Sequence, residues 1–369
     1  MSVRGIVKNI FPESLWPYLQ IPYRMGWALR RYIDRKRTAE DIITKAQKYI
    51  PYYQDELSRE ILNDRIEALR RPDENIFLRR AEKEGWKFPG LYGVDGTKYS
   101  GAVIVYDKEK RTEHTRELLK LCEWPKKYKF MKLDEFLGGG EISRSDLIIV
   151  LMPDWDIIRL KKYIARNNIT NDVVYGIAAM REDEQYLDVF SPVDNEVVVD
   201  AGAFDGATAL RFLKWAGDKI KRVYSFELDP VNFANCEENL RDVRNKVILV
   251  KKGTWDKDEV MNIDEGGSGS HLSSDGGTRA ELTTIDSVVK DERVTFIKMD
   301  VEGAELKSLI GAKNTIIKNR PRLAICVYHK RRDIYEIPEY ILSLVPEYKF
   351  YLRHYSSNGW ETVLYATCE

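Results

Sequence analysis

The sequence has few of the residues that build metal and redox centres. It holds 4 cysteines and 4 histidines among 369 residues. The cysteines are Cys122, Cys236, Cys326 and Cys368. None forms a C-x-x-C pair, so the pattern predicts neither a zinc site nor a redox disulfide and favours a reducing, cytoplasmic environment. His114 and His354 are isolated in the chain, and no metal site is predicted.

An excess of charge of one sign is also missing, as are long apolar runs. The 59 basic residues equal the 59 acidic ones, so the formal net charge is zero. Nucleic-acid binding depends on a basic surface, and such a partner is therefore not expected. No apolar run approaches the roughly 18 residues that cross a bilayer, and no signal peptide is evident. The hydrophobic content of 43% is enough for packed cores in a chain of this length.

The N-terminal residues 1–85 are predicted to form a helical region. Apolar residues recur at helical intervals from about Thr38 to Glu84, among many charges. Residues 4–37 mix aromatic and basic side chains, a combination that can lie on an anionic membrane surface. We favour the alternative, in which this stretch is an amphipathic helix that docks on its own protein.

Residues 86–182 are predicted to form a small α/β unit that is only part of a nucleotide-binding fold. Its buried strands are expected at Gly101–Asp107, Asp146–Pro153 and Asp172–Ile177, and its helices at Thr112–Cys122 and Trp155–Asn167. Gly90, Gly93 and Gly96 precede the first strand, whereas a phosphate-binding glycine loop follows one. We therefore expect structural support or acceptor binding from this unit, and no nucleotide.

Residues 183–369 are predicted to form a larger α/β domain with seven strands. The strands are expected at Glu196–Asp200, Arg222–Glu227, Lys246–Lys252, Val294–Asp300, Arg322–His329, Lys349–Tyr355 and Glu361–Thr367. Helical stretches separate the first five, which must be parallel, whereas the short turn Ser356–Gly359 makes the last two antiparallel. The glycine-rich and serine-rich residues 264–277 are expected to form a mobile loop.

The turn after the first of these strands is the most informative feature of the chain. Asp200 ends an apolar strand, and Gly202 and Gly206 permit a tight turn into a helix whose first N–H groups are free. The spacing G-x-x-x-G differs from the dinucleotide fingerprint, so a pyrophosphate is not expected and a nicotinamide oxidoreductase is disfavoured. Glu227, at the end of the second strand, can accept both hydroxyls of a ribose. A nucleoside without phosphates fits, and S-adenosylmethionine is such a ligand, although two glycines in such a turn can also serve packing alone.

Four segments of this domain resemble the FkbM-type methyltransferases, which depend on S-adenosylmethionine. The segments are V-V-V-D-A-G-A-F-D-G, V-Y-S-F-E-L-D-P, T-T-I-D-S-V-V and F-I-K-M-D-V-E-G-A-E-L-K-S-L-I-G. The resemblance covers roughly residues 185–369 and implies a class I methyltransferase, whose Rossmann-like seven-stranded sheet closes with an antiparallel hairpin. Residues 1–182 are then an extra N-terminal region.

The resemblance also implies where the methyl donor binds. The turn and the helix start would hold it with Asp200, Gly202, Ala203, Phe204, Asp205, Gly206 and Thr208. Glu227 would hold the ribose, and Leu228 and Asp300 would also contact the donor. The adenine would be covered by the loop that contains Gly253, Thr254 and Trp255. Trp255 can stack on a purine and Asp256 can accept from its amine, while a tryptophan at a strand end is equally often part of the core.

The expected catalytic residues lie at the ends of the fourth and fifth strands. His329 is the first candidate for a general base because an imidazole titrates near neutral pH. Asp300 is the second candidate, and Glu302 is a further polar group beside them. Many family members have Glu-x-His where this chain has Val327 and His329, so a Glu and His pair cannot be transferred directly. Asp300 and Glu302 can alternatively cap the following helix.

The predicted function is methyl transfer from S-adenosylmethionine to a hydroxyl of a sugar, glycan or polysaccharide precursor. The substrate class follows from the resemblance alone. Methylation of another small metabolite is a second hypothesis. A third is a donor-binding module without catalysis in a glycan-synthesis assembly, and an oligomer is compatible with all three.

Overall fold

The computed structural model describes residues 38–369, apart from residues 72, 74, 92, 153, 182, 265–270 and 274–277. The aromatic and basic stretch of residues 4–37 lies outside the described residues. Within them, the strands form three sheets of four, four and seven strands. No helix in this part of the chain combines the length and the apolar character needed to cross a bilayer.

The seven-stranded sheet has the order β14-β15-β13-β12-β5-β6-β7. Its strands are β5 (Glu196–Ala201), β6 (Ile220–Phe226), β7 (Val247–Val250), β12 (Phe296–Met299), β13 (Arg322–Cys326), β14 (Lys349–His354) and β15 (Thr362–Thr367). The first five are parallel, and β15 is antiparallel to both β13 and β14. The predicted sheet with its terminal hairpin is thereby confirmed.

Helices cover both faces of this sheet, so its central strands are apolar on both sides. The helices are α6 (Ala207–Ala216), α7 (Pro230–Asn239), α8 (Ile285–Val289), α9 (Glu305–Ile310), α10 (Lys313–Asn319) and α11 (Asp333–Leu344). In β5, the alternating side chains of Val197 and Val199 face one core, and that of Val198 faces the other. Because β5 lies at the centre, its carboxyl end opens at the point where the strand order reverses, which is where ligands bind in such sheets.

A small second sheet follows β7, with β8 (Gly253–Thr254), β9 (Glu259–Asp264), β10 (His271–Ser273) and β11 (Thr278–Thr283) in the order β10-β9-β11-β8. The prediction of one loop over residues 264–277 is wrong in part, because His271–Ser273 pairs with residues 262–264 in antiparallel register. Sequence alone did not show this strand because it is three residues long and flanked by glycines.

The N-terminal sheet is entirely parallel, with the order β2-β1-β3-β4. Its elements are β1 (Gly101–Tyr106), α3 (Lys110–Leu121), β2 (Tyr128–Lys132), α4 (Leu133–Leu137), β3 (Asp146–Leu151), α5 (Asp154–Arg166) and β4 (Val173–Tyr175). The three predicted strands are present. The edge strand β2 was missed because it is mostly exposed and alternates lysines with aromatic residues.

Helices at the start of the described region pack against the seven-stranded sheet. Residues 38–47 are helical, and α1 (Glu56–Arg70) and α2 (Ile76–Lys83) follow. Ile61, Leu62 and Ile66 of α1 belong to the same hydrophobic core as the seven-stranded sheet. Phe77 of α2 stacks on His354 at the end of β14, with ring centroids 4.1 Å apart. The limits near residues 85 and 182 remain predictions, since the helical region shares its core with the C-terminal sheet.

Candidate active site

The turn after β5 can be formed only with glycine at residue 202. Gly202 has a φ of +82°, and a Cβ there would lie 1.8 Å from the backbone oxygen of Asp300. The N–H groups of Gly202 and Ala203 both donate to the carbonyl of Phe226, which ties the turn to the end of β6. The turn therefore lies directly against the ends of both neighbouring strands, β6 and β12.

A buried lysine that the sequence analysis overlooked holds this turn in place. Lys298 in β12 is 2% exposed, and its Nζ lies 3.0 Å from Oδ1 of Asp200. The same ammonium group donates to the carbonyl of Gly202 over 2.6 Å and to that of Ala201 over 3.2 Å. Asp200 is thus a structural anchor beneath the turn. The signal in the sequence was the single charge in the otherwise apolar strand F-I-K-M.

Glu227 lies beside the turn, where the ribose of a nucleoside would rest. It is 6% exposed, and burial raises the pKa of its carboxyl despite two backbone hydrogen bonds. The N–H of Phe204 donates to Oε2 and the N–H of Asp229 to Oε1, each over 2.8 Å. Each oxygen keeps a lone pair that can accept from a ribose hydroxyl. Phe204 has a φ of +53° and is 44% exposed beside it.

The other residues predicted to bind the donor lie either in the turn and the start of α6 or directly after Glu227. Ala203 and Gly206 are buried in the turn, Thr208 is partly exposed on the first turn of α6, and Oδ1 of Asp205 accepts from the N–H of Ala207. Leu228 follows Glu227 and lies next to Gly253, where a Cβ would come within 3.2 Å of the leucine side chain.

Three residues of the predicted adenine loop are held by α9. Thr254 Oγ1 is 2.6 Å from Ser308 Oγ, and both are buried. Asp256 forms an ion pair of 2.5 Å with Lys307, whose ammonium also lies 5.6 Å from the centre of the Trp255 ring. Contact with adenine therefore stays a prediction for Trp255, and the hydroxyl of Thr254 is occupied by Ser308.

Asp300, Glu302 and His329 converge at the carboxyl edge of β12 and β13. His329 Nε2 lies 3.6 Å from Asp300 Oδ1 and 3.5 Å from Glu302 Oε2. The strand predicted to reach His329 ends at Cys326, so the histidine lies in the loop after β13. Glu302 and Gly303 have φ values of +52° and +89°, and this tight turn brings Glu302 back to the sheet edge.

The His329 ring is surrounded by negative charge. Its Nδ1 lies 2.8 Å from Oε1 of Glu305, which is fully buried. Burial disfavours the charged ring, but the contacts with Glu302 and Glu305 outweigh this and raise the pKa of His329 to about 11. An ordinary histidine titrates near neutral pH. A ring that already carries its proton cannot accept another, so His329 can act as the predicted base only after it has lost that proton.

Asp300 is held by two tyrosines that the sequence analysis did not assign. The hydroxyl of Tyr186 donates to Oδ2 over 2.8 Å, and that of Tyr328 donates to Oδ1 over 3.1 Å. Burial would raise the pKa of Asp300, but the charges of Lys298 and His329 bring it below its usual range. Tyr186 lies in the segment E-Q-Y-L-D-V-F that precedes β5, and Tyr328 precedes His329. A contact over 114 residues leaves no signal in local sequence.

The sheet order, the glycine turn and the acidic end of β6 define a class I methyltransferase that depends on S-adenosylmethionine. The turn leaves its backbone free to approach the ligand, and Glu227 offers acceptors for a ribose, so these residues fit the donor. Residues 200–354 match the model of the methyltransferase FkbM domain. This match shows that the chain contains a domain of the FkbM methyltransferase type, which covers less than half of its length.

The chain is also similar to individual known proteins. The chain is 29% identical over 181 residues to the 2-O-methyltransferase NoeI of Sinorhizobium fredii, covering 42% of this chain and 72% of the relative. Among solved structures, methyltransferase FkbM from Methylobacillus flagellatus is similar at 17% identity and a TM-score of 0.47, over 79% of this chain and 98% of that one. Fibrillarin of Aeropyrum pernix, solved with S-adenosyl-L-methionine, matches at 12% identity and a TM-score of 0.28, over 47% and 67%.

Proposed function

We propose that this protein methylates a hydroxyl oxygen of a sugar, glycan or polysaccharide precursor. The observation that carries the proposal is the convergence of Asp300, Glu302 and His329 at the sheet edge that adjoins the Gly202 turn. A cluster of two carboxylates and one imidazole suits a polar, hydrogen-bonding acceptor. The related NoeI is a 2-O-methyltransferase, which supports oxygen as the accepting atom.

S-adenosylmethionine would supply an electrophilic methyl group. The acceptor oxygen would form the new C–O bond, and sulfur would keep the electrons of the broken C–S bond. The hydroxyl proton would leave the acceptor oxygen. The chain must orient the acceptor and exclude water. Orientation can contribute on the order of 7 to 11 kcal/mol, whereas a general base contributes roughly 3 to 5 kcal/mol. In this proposal Gly202, Glu227 and Lys298 position the donor side. Asp300 is a candidate for receiving the proton, and so is His329 once its ring has lost its own proton.

We further propose that residues 86–182 contribute to acceptor binding. A cavity of about 720 Å³ lies between the turn that contains Gly90 and Gly96, the ring of Trp124, and the linker that contains Arg181 and Glu184. The linker continues into Tyr186, whose hydroxyl donates to Asp300. A long acceptor could thus extend from the catalytic edge along the linker. The four free cysteines support a reducing, cytoplasmic setting for the reaction.

Methyl transfer and acceptor class can be tested together. The purified chain is incubated with S-adenosylmethionine labelled in the methyl group and with nucleotide sugars or fractionated cell-envelope glycans. We expect label in a carbohydrate fraction as an ether that is stable to mild base. Donor binding with no transfer to any fraction would favour the non-catalytic module, and label in a non-carbohydrate metabolite would favour the other small-molecule hypothesis.

A further inference from the structure

The distances within the Asp300, Glu302 and His329 cluster are unusual for a hydrogen-bonded group. Charge-assisted N–H···O bonds are about 2.7 to 2.9 Å long. The separations of 3.6 and 3.5 Å between Nε2 and the two carboxylate oxygens are longer than that. Two ligands bonded at about 2.1 Å to one metal ion are about 3.0 Å apart at the 90° angle of octahedral geometry and about 3.4 Å apart at the tetrahedral angle. The observed spacing is therefore that of atoms arranged around a shared cation, and one ligand atom from each residue lies within 4.8 Å of the others.

The histidine is the second, independent observation. Its side chain is 10% exposed, and Nε2 has no hydrogen-bond partner. Nε2 points into the cluster between the carboxylates of Asp300 and Glu302. A buried polar atom without a partner is costly, and native proteins seldom leave one unless a ligand or ion completes it.

Glu305 fixes the ring in the orientation that a metal ligand needs. Its Oε1 lies 2.8 Å from Nδ1 of His329 and also accepts from the N–H groups of Val301 and Gly303, over 3.0 and 3.3 Å. Metal-binding histidines almost always have a carboxylate or carbonyl at the nitrogen that does not bind the metal. Glu305 takes that place here and leaves Nε2 for the ion.

We propose that Asp300, Glu302 and His329 bind a divalent metal ion through two carboxylates and Nε2 of the imidazole. One nitrogen and two oxygens suit ions of the Mn²⁺ type, which accept carboxylates readily and imidazole as well. Glu302 is 37% exposed, so the solvent side of the ion is open to a further ligand. The role in transfer rests on the proposed function, because an acceptor hydroxyl bound to the ion there would lose its proton more readily. The inference differs from the roles predicted from sequence, in which His329 and Asp300 were candidates for the base, Asp300 also completed the donor pocket, and Glu302 was a further polar group.

Mn²⁺ itself is the probe. The full chain, without donor or acceptor, is titrated with Mn²⁺, and binding is followed by the loss of the free-ion electron paramagnetic resonance signal. We expect one bound ion per chain. Glu302→Gln and His329→Gln should each weaken binding at least about tenfold, and Glu305→Gln, which alters a positioning residue, by about 10-fold to 100-fold. The matched control Glu238→Gln, on the exposed face of α7, should bind as the unaltered chain does.

A parallel assay of methyl transfer with and without EDTA separates this inference from the proposed function. The inference is overturned if millimolar Mn²⁺ fails to bind, or if Glu302→Gln, shown to be folded by circular dichroism, binds it unchanged. Transfer that continues unaltered in EDTA would also overturn the role of the ion while leaving the proposed function intact. Mn²⁺ bound at these residues with no transfer to any acceptor would instead remove the proposed function and leave the metal site.

Discussion

The chain contains two sheets built from parallel strands and crossover helices, and the two differ sharply at their carboxyl edges. In the C-terminal sheet, β5 continues into A-G-A-F-D-G, and the backbone of Gly202 touches that of Asp300. In the N-terminal sheet, β1 continues into D-K-E-K, and the glycines Gly90, Gly93 and Gly96 come before this strand. Of these, Gly93 has a φ of +73° with open space around it.

The difference lies in what surrounds the strand ends. The C-terminal edge collects buried charges from several strands, among them Lys298 and Glu227. The N-terminal sheet is as apolar in its centre, but β1 ends at Tyr106 and its following Asp107 pairs with Arg111 on the surface of α3. Similar strand connectivity therefore yields a donor site only where charged side chains and a close backbone contact coincide.

The largest expected effect distinguishes the two glycine turns. Gly202→Ala would place a Cβ 1.8 Å from a backbone oxygen at a φ of +82°, and we expect a loss of more than about 4 kcal/mol of stability or of the folded state itself. Gly93→Ala meets open space at a similar φ and should cost about 1 to 2 kcal/mol. Thermal and urea unfolding of both variants measure the contrast. Equal stability of the two would show that the close approach at Gly202 has no energetic consequence.

The next largest effect is on turnover, and it compares His329, at the carboxyl edge of the C-terminal sheet, with His114, on α3 of the N-terminal α/β unit. His329→Ala should lower turnover about 100-fold to 10,000-fold, because it removes the imidazole from the acceptor side. Donor affinity, measured by calorimetry with S-adenosylhomocysteine, should change little, since the donor residues lie around β5 and β6. His114→Ala, on α3 of the N-terminal sheet, is the control and should keep full turnover. Unaltered turnover in His329→Ala would remove this residue from the mechanism.

A smaller effect is expected on donor affinity, and it compares Glu227, which follows β6, with Asp134, which follows β2. Glu227→Gln replaces a carboxylate that would accept two ribose hydroxyls, and charged hydrogen bonds contribute about 1.5 to 3 kcal/mol each. Glutamine keeps one acceptor oxygen, so one such bond is lost and we expect the donor to bind roughly 10-fold to 100-fold more weakly. Asp134→Asn, just after β2, alters an exposed carboxylate and should bind the donor normally. Isothermal titration of both variants tests this, and normal affinity in Glu227→Gln would contradict the ribose assignment.

The smallest expected effect is a dependence of stability on pH that is caused by His354, at the end of β14, where it stacks on Phe77 of α2. Burial is the main cause that lowers the pKa of His354 to about 3, and the nearby charge of Arg65 adds to it. In the unfolded chain the ring titrates near its usual value, so the unfolded state binds more protons between these two pKa values. The stability that depends on neutral His354 is complete above pH 6.5 and is lost as the pH falls, at about 1.4 kcal/mol per unit.

Urea unfolding between pH 7 and 5 measures this loss. The unaltered chain should lose about 2 kcal/mol more than His354→Phe over the range, because phenylalanine keeps the stacking on Phe77 without a titrating group. If the free energies of unfolding of the two proteins fell by the same amount over this pH range, His354 would make no contribution to the pH dependence of stability.

Much of the fold could be predicted from the sequence because central parallel strands are apolar runs with clear boundaries. The turn from Asp200 to Gly206 and the acidic residue at position 227 were predicted with the correct neighbours. Strand β2 and strand β10 could not be predicted, because one is an exposed edge and the other is three residues long. Their existence depends on pairing with partners that local sequence does not specify.

The candidate site was predictable only in part. His329, Asp300 and Glu302 were identified because they follow strands whose carboxyl ends meet. The restraint of Asp300 by Tyr186 and Tyr328, and of His329 by Glu305, depends on contacts between distant segments and on a turn with positive φ at Glu302. The shift in the histidine pKa follows from these contacts and could not be derived from residue type.

The contact between Gly202 and the carbonyl of Asp300 has a consequence for redesign of this protein. The proposed donor side of the site at Gly202 and the proposed acceptor side at Asp300 are in direct backbone contact. A substitution that moves residue 300 to admit a bulkier acceptor would therefore also displace the turn proposed to bind the donor. Changes of substrate preference should therefore be sought at Arg181 and Glu184 in the preceding linker, which line the cavity beside Trp124 and do not contact that shared backbone.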